Sequence, residues 1–83
     1  MTSSAVNMVA MVEHLARVLV TAPDEVEVEA FEEGGQTIIE LFVAEDDLGR
    51  IIGRQGRMAR SLRTIVNAAA LRTRKRYQLE IVE

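Results

Sequence analysis

The stretch Leu48-Gly49-Arg50-Ile51-Ile52-Gly53-Arg54-Gln55-Gly56-Arg57 decides how the rest of the chain is read. An apolar pair leads into two glycines that bracket Arg54 and Gln55, and an arginine-studded helical pattern leads out. Neither glycine carries a Cβ, so a Gly-x-x-Gly turn lets the backbone come close to another molecule. The turn also opens a helix, whose free N–H groups and positive dipole end suit an anion, a phosphate above all. Arg54 and Arg57 add full positive charge at the same place. These features predict a clamp for a nucleic-acid backbone. On these four residues alone a plain helix–helix corner is the better reading, so the flanks have to discriminate.

Before the loop, Glu45-Asp46-Asp47 reads as the start of a short helix with acids at its positive end, running through Ile51. Gly49 inside that helix costs about 1 kcal/mol against alanine, which makes sense if something packs tightly on its face. After the loop, Met58, Leu62, Ile65, Val66 and Ala69 recur as the inner stripe of a second helix, with Arg57, Arg60, Arg63 and Thr64 on the other side. The basic run of residues 72–76 ends that helix where its dipole favours cations. That run has two readings, a second phosphate contact or a solvated helix end.

Further out, residues 1–5 read as a flexible end, and residues 6–83 as one domain. Met8, Val12, Leu15, Val18 and Leu19 recur at helical steps until Pro23 stops them. His14 in this pattern has no second His, no Cys and no clustered carboxylates, so it is a helix residue and not a metal ligand. Residues 25–30 alternate strictly, with Val26, Val28 and Ala30 inward and glutamates outward. Gly34-Gly35 is a hairpin signal. Residues 37–43 are apolar at nearly every position, as in a central strand, and residues 77–82 alternate again. The order is α-β-β-α-α-β. A long helical link from strand two to strand three implies parallel neighbours. The expected fold is α+β, a three-stranded mixed sheet with three helices on one face.

The net charge of −3 hides a division. Up to Asp47 there are eleven acids and one base, Arg17; from Leu48 onward there are nine bases and two acids. Such asymmetry predicts a basic working face and an acidic remainder. The acidic run of residues 25–33 reads as a solvated outer face. The chain has no cysteine, which excludes disulfides, thiolate metal sites and cysteine nucleophiles. No apolar run reaches membrane-spanning length and no basic signal-peptide start is present, so a cytoplasmic protein without membrane insertion is expected. With one histidine and no acid–base pair in a groove, catalysis is not expected. No cofactor or metal is called for. A P-loop needs wider glycine spacing and a Lys. A dinucleotide fingerprint follows a strand, whereas this loop follows a helix.

Ile51-Ile52-Gly53-Arg54-Gln55-Gly56-Arg57 resembles the signature of the KH domain, and the element order resembles its bacterial type II form. The chain is most similar to the KhpA family of small single-domain KH proteins. Pro23-Asp24, Asp47-Leu48-Gly49-Arg50, Arg63-Thr64-Ile65-Val66-Asn67-Ala68-Ala69 and the basic run before strand three carry the likeness alongside the loop. It covers nearly all of residues 6–82. Ala59 departs from it, standing where such domains often carry a larger aliphatic residue.

The resemblance implies single-stranded RNA binding, in which the Gly-x-x-Gly loop holds about four nucleotides by their backbone. Carried over, Gly53, Arg54, Gln55 and Gly56 contact phosphate and sugar through their backbone N–H groups and the Arg54 side chain. Gly49, Arg50 and Ile52 line the groove, and Arg57 and Arg60 extend the positive path. The three aromatics (Phe31, Phe42, Tyr77) are too few for a base-stacking platform, which agrees with an apolar groove. The resemblance also implies an RNA chaperone or post-transcriptional regulator. It further implies a homodimer, or a heterodimer with a larger KH-containing RNA-binding protein. Ile65, Val66 and Ala69, on a helix apolar over more than one face, are the expected interface. The rival reading is an interaction module whose main role is pairing with that larger protein. The cellular process stays open between ribosome-linked, regulatory and cell-envelope or cell-shape roles.

Overall fold

Helical spacing holds from the first turn of the computed structural model, which describes residues 3–83, with side chains from Asn7 onward. Helix α1 spans Ser3–Leu19, starting a little before the expected Val6. Of the expected flexible end, Met1 and Thr2 lie outside the described residues. Met8, Val12 and Ala16 form the buried stripe of α1, flanked by half-buried Leu15 and Leu19. Val18 departs from the expected pattern and is 69% exposed. One residue's error in helical phase is about 100°, enough to move a side chain from the core to solvent.

Strand β1 spans Glu27–Glu33, β2 Gln36–Phe42 and β3 Tyr77–Ile81, in the spatial order β1-β2-β3. β1 pairs antiparallel with β2, and β2 parallel with β3, as the long helical crossover requires. Gly34 and Gly35 both take positive φ, 61° and 81°, the backbone that a two-residue hairpin of the favoured twist needs. β1 starts later than its alternation suggested, because Pro23–Glu25 winds into a 3-10 turn. Ala30, expected inward, is exposed. It sits in the middle of β1, an edge strand of the sheet.

Helix α2 spans Leu48–Ile52 and α3 Arg57–Thr73. Three helices cover one face of the sheet. Ile39 and Leu41 from β2, Leu79 from β3, Ile51 from α2, Leu62 and Val66 from α3, and Val12 from α1 meet in one core. The other sheet face is open and acidic. Glu29 lies opposite Glu40, and Glu40 opposite Glu80, a row of like charges across all three strands. Like charges in register are destabilising, so a like-charged polymer is repelled from this face.

Asp47 has a role its position in the sequence did not disclose. It was expected to start a helix, yet its carboxylate caps no backbone amide of α2. It is buried, 1% exposed, and reaches back to the segment after α1. Oδ1 accepts from the Thr21 amide (2.9 Å) and hydroxyl (2.8 Å), and Oδ2 from the Ala22 amide (3.0 Å). Arg50 Nε lies 3.5 Å from Oδ1. The Thr21 amide above all, then the Thr21 hydroxyl, the Ala22 amide and the Arg50 charge hold the Asp47 carboxyl below its usual range, against the opposing effect of burial. The carboxylate thus latches α2, and the loop behind it, to the end of α1. Because its pKa is depressed on folding, its stabilisation is complete above about pH 4 and is lost as pH falls through the folded value. Asp47→Asn is expected to lower Tm by several degrees at neutral pH, with the gap to wild type narrowing in acid. A gap independent of pH in a melting series would contradict the latch.

Candidate nucleic-acid interface

The loop between α2 and α3 is a 3-10 turn, Arg54–Gly56. Its geometry follows from its glycines. Gly53 ends α2 at φ 79°, ψ 173°, a region essentially reserved for glycine. A Cβ there would stand 2.6 Å from Met58 Cβ and 2.8 Å from the Met58 backbone nitrogen. Gly56, at φ 74° and ψ 12°, turns the chain into α3. Gln55 between them is also left-handed, at φ 57° and ψ 25°. Three left-handed residues within four reverse the chain tightly enough for α2 and α3 to share one corner.

The arginines brace this corner as well as charging it. Arg60 Nη1 donates to the Gln55 carbonyl at 3.1 Å, and Arg57 Nη2 to Gln55 Oε1 at 3.3 Å. Both are expected to extend the positive path; in this structure the Arg60 guanidinium also holds the unusual Gln55 backbone, and that of Arg57 holds the Gln55 side chain. Arg54 is exposed and has no ion-pair partner among the described residues. Arg50, still well exposed, leans toward Asp47.

The amides divide in a way the sequence did not reveal. Gly53 N–H donates to the Gly49 carbonyl at 2.8 Å, and Gly56 N–H to the Gly53 carbonyl at 3.1 Å. Two of the four amides expected to meet phosphate are therefore engaged within the turn. Among the described residues, the N–H groups of Arg54 and Gln55 donate to no backbone carbonyl. They sit beside the Arg54 side chain at the head of the 17-residue α3.

Gly49 corrects the expectation of tight packing on its face. It is exposed, and a Cβ built there meets nothing within 4 Å. The space beside it belongs to solvent. Ile52, half-buried, presents apolar surface before the loop, whereas Ile51 is fully buried. Gly49, Ile52, the free amides and the exposed Arg54 thus gather at one corner of the molecule, away from the acidic sheet face. Of the residues expected to associate, Ile65 is 41% exposed and Ala69 half-buried. Val66 is only 1% exposed; it packs in the protein's own core and offers no surface to a partner. Among the described residues, no cluster of His, Cys, Asp or Glu could hold a metal ion, and no helix is long and apolar enough to cross a membrane.

The chain matches the family model described as KhpA/KhpB, KH domain, over residues 9–81. It is 45% identical over 76 residues to an RNA-binding protein KhpA of Halalkalibacterium halodurans, covering 92% of this chain and 100% of that one. The KhpA of Caldanaerobacter subterraneus is 47% identical over 72 residues, 87% of this chain and 96% of its own. The KhpA of Borreliella burgdorferi is 43% identical over 77 residues, with coverage of 93% and 94%. These relatives carry the name of a binding protein and not of an enzyme. Among solved structures, Aquifex aeolicus Era in a GDP-bound crystal form superposes with a TM-score of 0.62 at 20% identity, over 89% of this chain and 29% of that one. That likeness concerns the fold. With element order, glycine loop and family match in agreement, the chain belongs to the KhpA/KhpB family of KH domains.

Proposed function

We propose that this protein binds single-stranded RNA in the cytoplasm by clamping its backbone at residues 53–56, as an RNA chaperone or post-transcriptional regulator. The observation that carries the reading is the pair of free amides, Arg54 and Gln55, beside an exposed arginine and next to the empty face of Gly49. Phosphate oxygens take the N–H groups and the Arg54 guanidinium. Ribose and base lie across Gly49 and Ile52, where a side chain at position 49 would stand in the way. The relatives' shared name, RNA-binding protein, supports the same assignment.

Gly49→Ala tests it, because stability and binding move in opposite directions. A Cβ at position 49 meets nothing in the protein, so alanine stabilises the helix by up to about 1 kcal/mol. The same methyl enters the RNA path and lowers affinity about tenfold, or ~1.4 kcal/mol. A rise in Tm with unchanged affinity for an unpaired RNA would remove the groove from this face.

The protein also self-associates in this reading, or pairs with a larger KH-containing partner. Exposed Ile65 and the apolar groups beside it on α3 support this, with Val66 excluded by its burial. Ile65→Glu is expected to shift sedimentation toward monomer at tens of micromolar while leaving RNA titrations with short strands unchanged. A wild type that sediments as a monomer at that concentration would end the homodimer reading. Two grooves held together raise affinity through effective concentration.

A further inference from the structure

The glycine loop is not where the cationic surface ends. A depression beside Arg57, Arg60, Ser61 and Ile65 at the start of α3 reaches Thr64, and a second, larger cleft begins at the same Thr64. The second cleft follows Asn67, Ala68 and Leu71 to Tyr77 on β3, and Arg74, Lys75 and Arg76 form its rim. The two depressions make one path along α3, which at 17 residues is about 25 Å long.

Two observations mark the far cleft as suited to a ligand. Leu71, at 81% exposure, is the most exposed large apolar side chain among the described residues and stands on the cleft wall. Arg74, Lys75 and Arg76 are exposed, and none is in an ion pair among the described residues. Glu32 borders the adjoining depression without bridging to them. Arg74 itself is held left-handed at φ 60°, which turns the basic segment off the end of α3 and back toward the sheet.

We propose that this cleft is a second nucleotide subsite, which takes a further unpaired nucleotide from an RNA strand already held at the glycine loop. The inference rests on the clamp reading and extends it along α3. The base lies against Leu71 and Ala68, with the Asn67 amide available to its polar edge. The phosphate meets Arg74, Lys75 and Arg76, where guanidinium groups give paired hydrogen bonds. A protein partner would use the apolar wall but would leave the cationic rim without a purpose.

Equilibrium titrations with labelled unpaired RNAs of about four and about 12 nucleotides test this. Wild type is expected to hold the longer RNA at least about tenfold tighter than the shorter one. Lys75→Glu with Arg76→Glu should abolish that advantage and leave the short RNA unaffected. Arg72→Glu is the control for general charge, because Arg72 borders a different depression beside α1. It should keep most of the advantage. If the double variant loses no more than Arg72→Glu does, the subsite is overturned. Equal affinity of wild type for both RNAs overturns the subsite and leaves the clamp standing. Failure of wild type to bind either RNA removes the clamp, and this inference with it.

Discussion

Gly53→Ala is expected to be the most destabilising single substitution in the loop, lowering the unfolding free energy by about 3 kcal/mol or more. Two costs combine. At φ 79° and ψ 173° the backbone is in a region that a Cβ makes unfavourable. The added Cβ would also press on Met58 at 2.6 Å from its Cβ and 2.8 Å from its backbone nitrogen, and α3 cannot move away without unpacking. A domain of this size has only about 5–10 kcal/mol to lose. Gly56→Ala is the internal control. Its left-handed φ of 74° costs about 1 kcal/mol for alanine, and the nearest atom to its Cβ is the end of the Arg60 side chain at 3.5 Å. Urea unfolding of the two variants should therefore separate them clearly. Equal destabilisation would mean that the corner is not built on Gly53.

The second large effect is on binding. Arg54→Asp combined with Gln55→Asp should reduce affinity for unpaired RNA about 100-fold, ~3 kcal/mol, with the fold intact. Arg54 is exposed and in no ion pair among the described residues, so its replacement breaks none. Gln55 is left-handed at φ 57°, a conformation that aspartate tolerates. The variant puts two negative charges where the proposed clamp would hold phosphate. Wild-type binding should weaken as salt rises, with a slope set by the number of phosphates neutralised, and the variant should show a shallower slope. Comparable affinity in the two proteins would reduce the loop to a structural corner.

Most of the architecture was legible because it rests on local patterns. Period two around Val28, period 3.6 around Leu62, the Gly34-Gly35 turn and the long link between β2 and β3 fix the element order and the mixed pairing. Features that depend on distant contacts were not legible. Asp47 meets Thr21 and Ala22 across about 25 residues of chain, and no local signal distinguishes that carboxylate from an ordinary helix-start acid. The exposure of Val18 reflects the exact phase of α1 against the core, which the spacing alone did not resolve. Val66 and Ile65 are adjacent apolar residues with opposite fates, one in the core and one on the surface, because the helix turns about 100° between them.

At the site, the residue types were readable and their division of labour was not. The motif announced Gly53, Arg54, Gln55 and Gly56 as a group. Only the backbone geometry separates the amides of Gly53 and Gly56, which close the turn, from those of Arg54 and Gln55, which are free. Likewise Gly49 suggested close packing, and its face proves open to solvent. The left-handed Gln55 had no signal in the sequence, since glutamine rarely adopts that conformation.

The most direct test of the clamp is a titration of isotope-labelled protein with an unpaired RNA of about four nucleotides, followed through its backbone amide chemical shifts. The account predicts the largest shifts at the amides of Arg54 and Gln55, with Gly49, Ile52 and the first turn of α3 next. The open sheet face around Glu29, Glu40 and Glu80 should stay silent. Shifts centred on that sheet face, or a titration that leaves Arg54 and Gln55 unmoved, would contradict it.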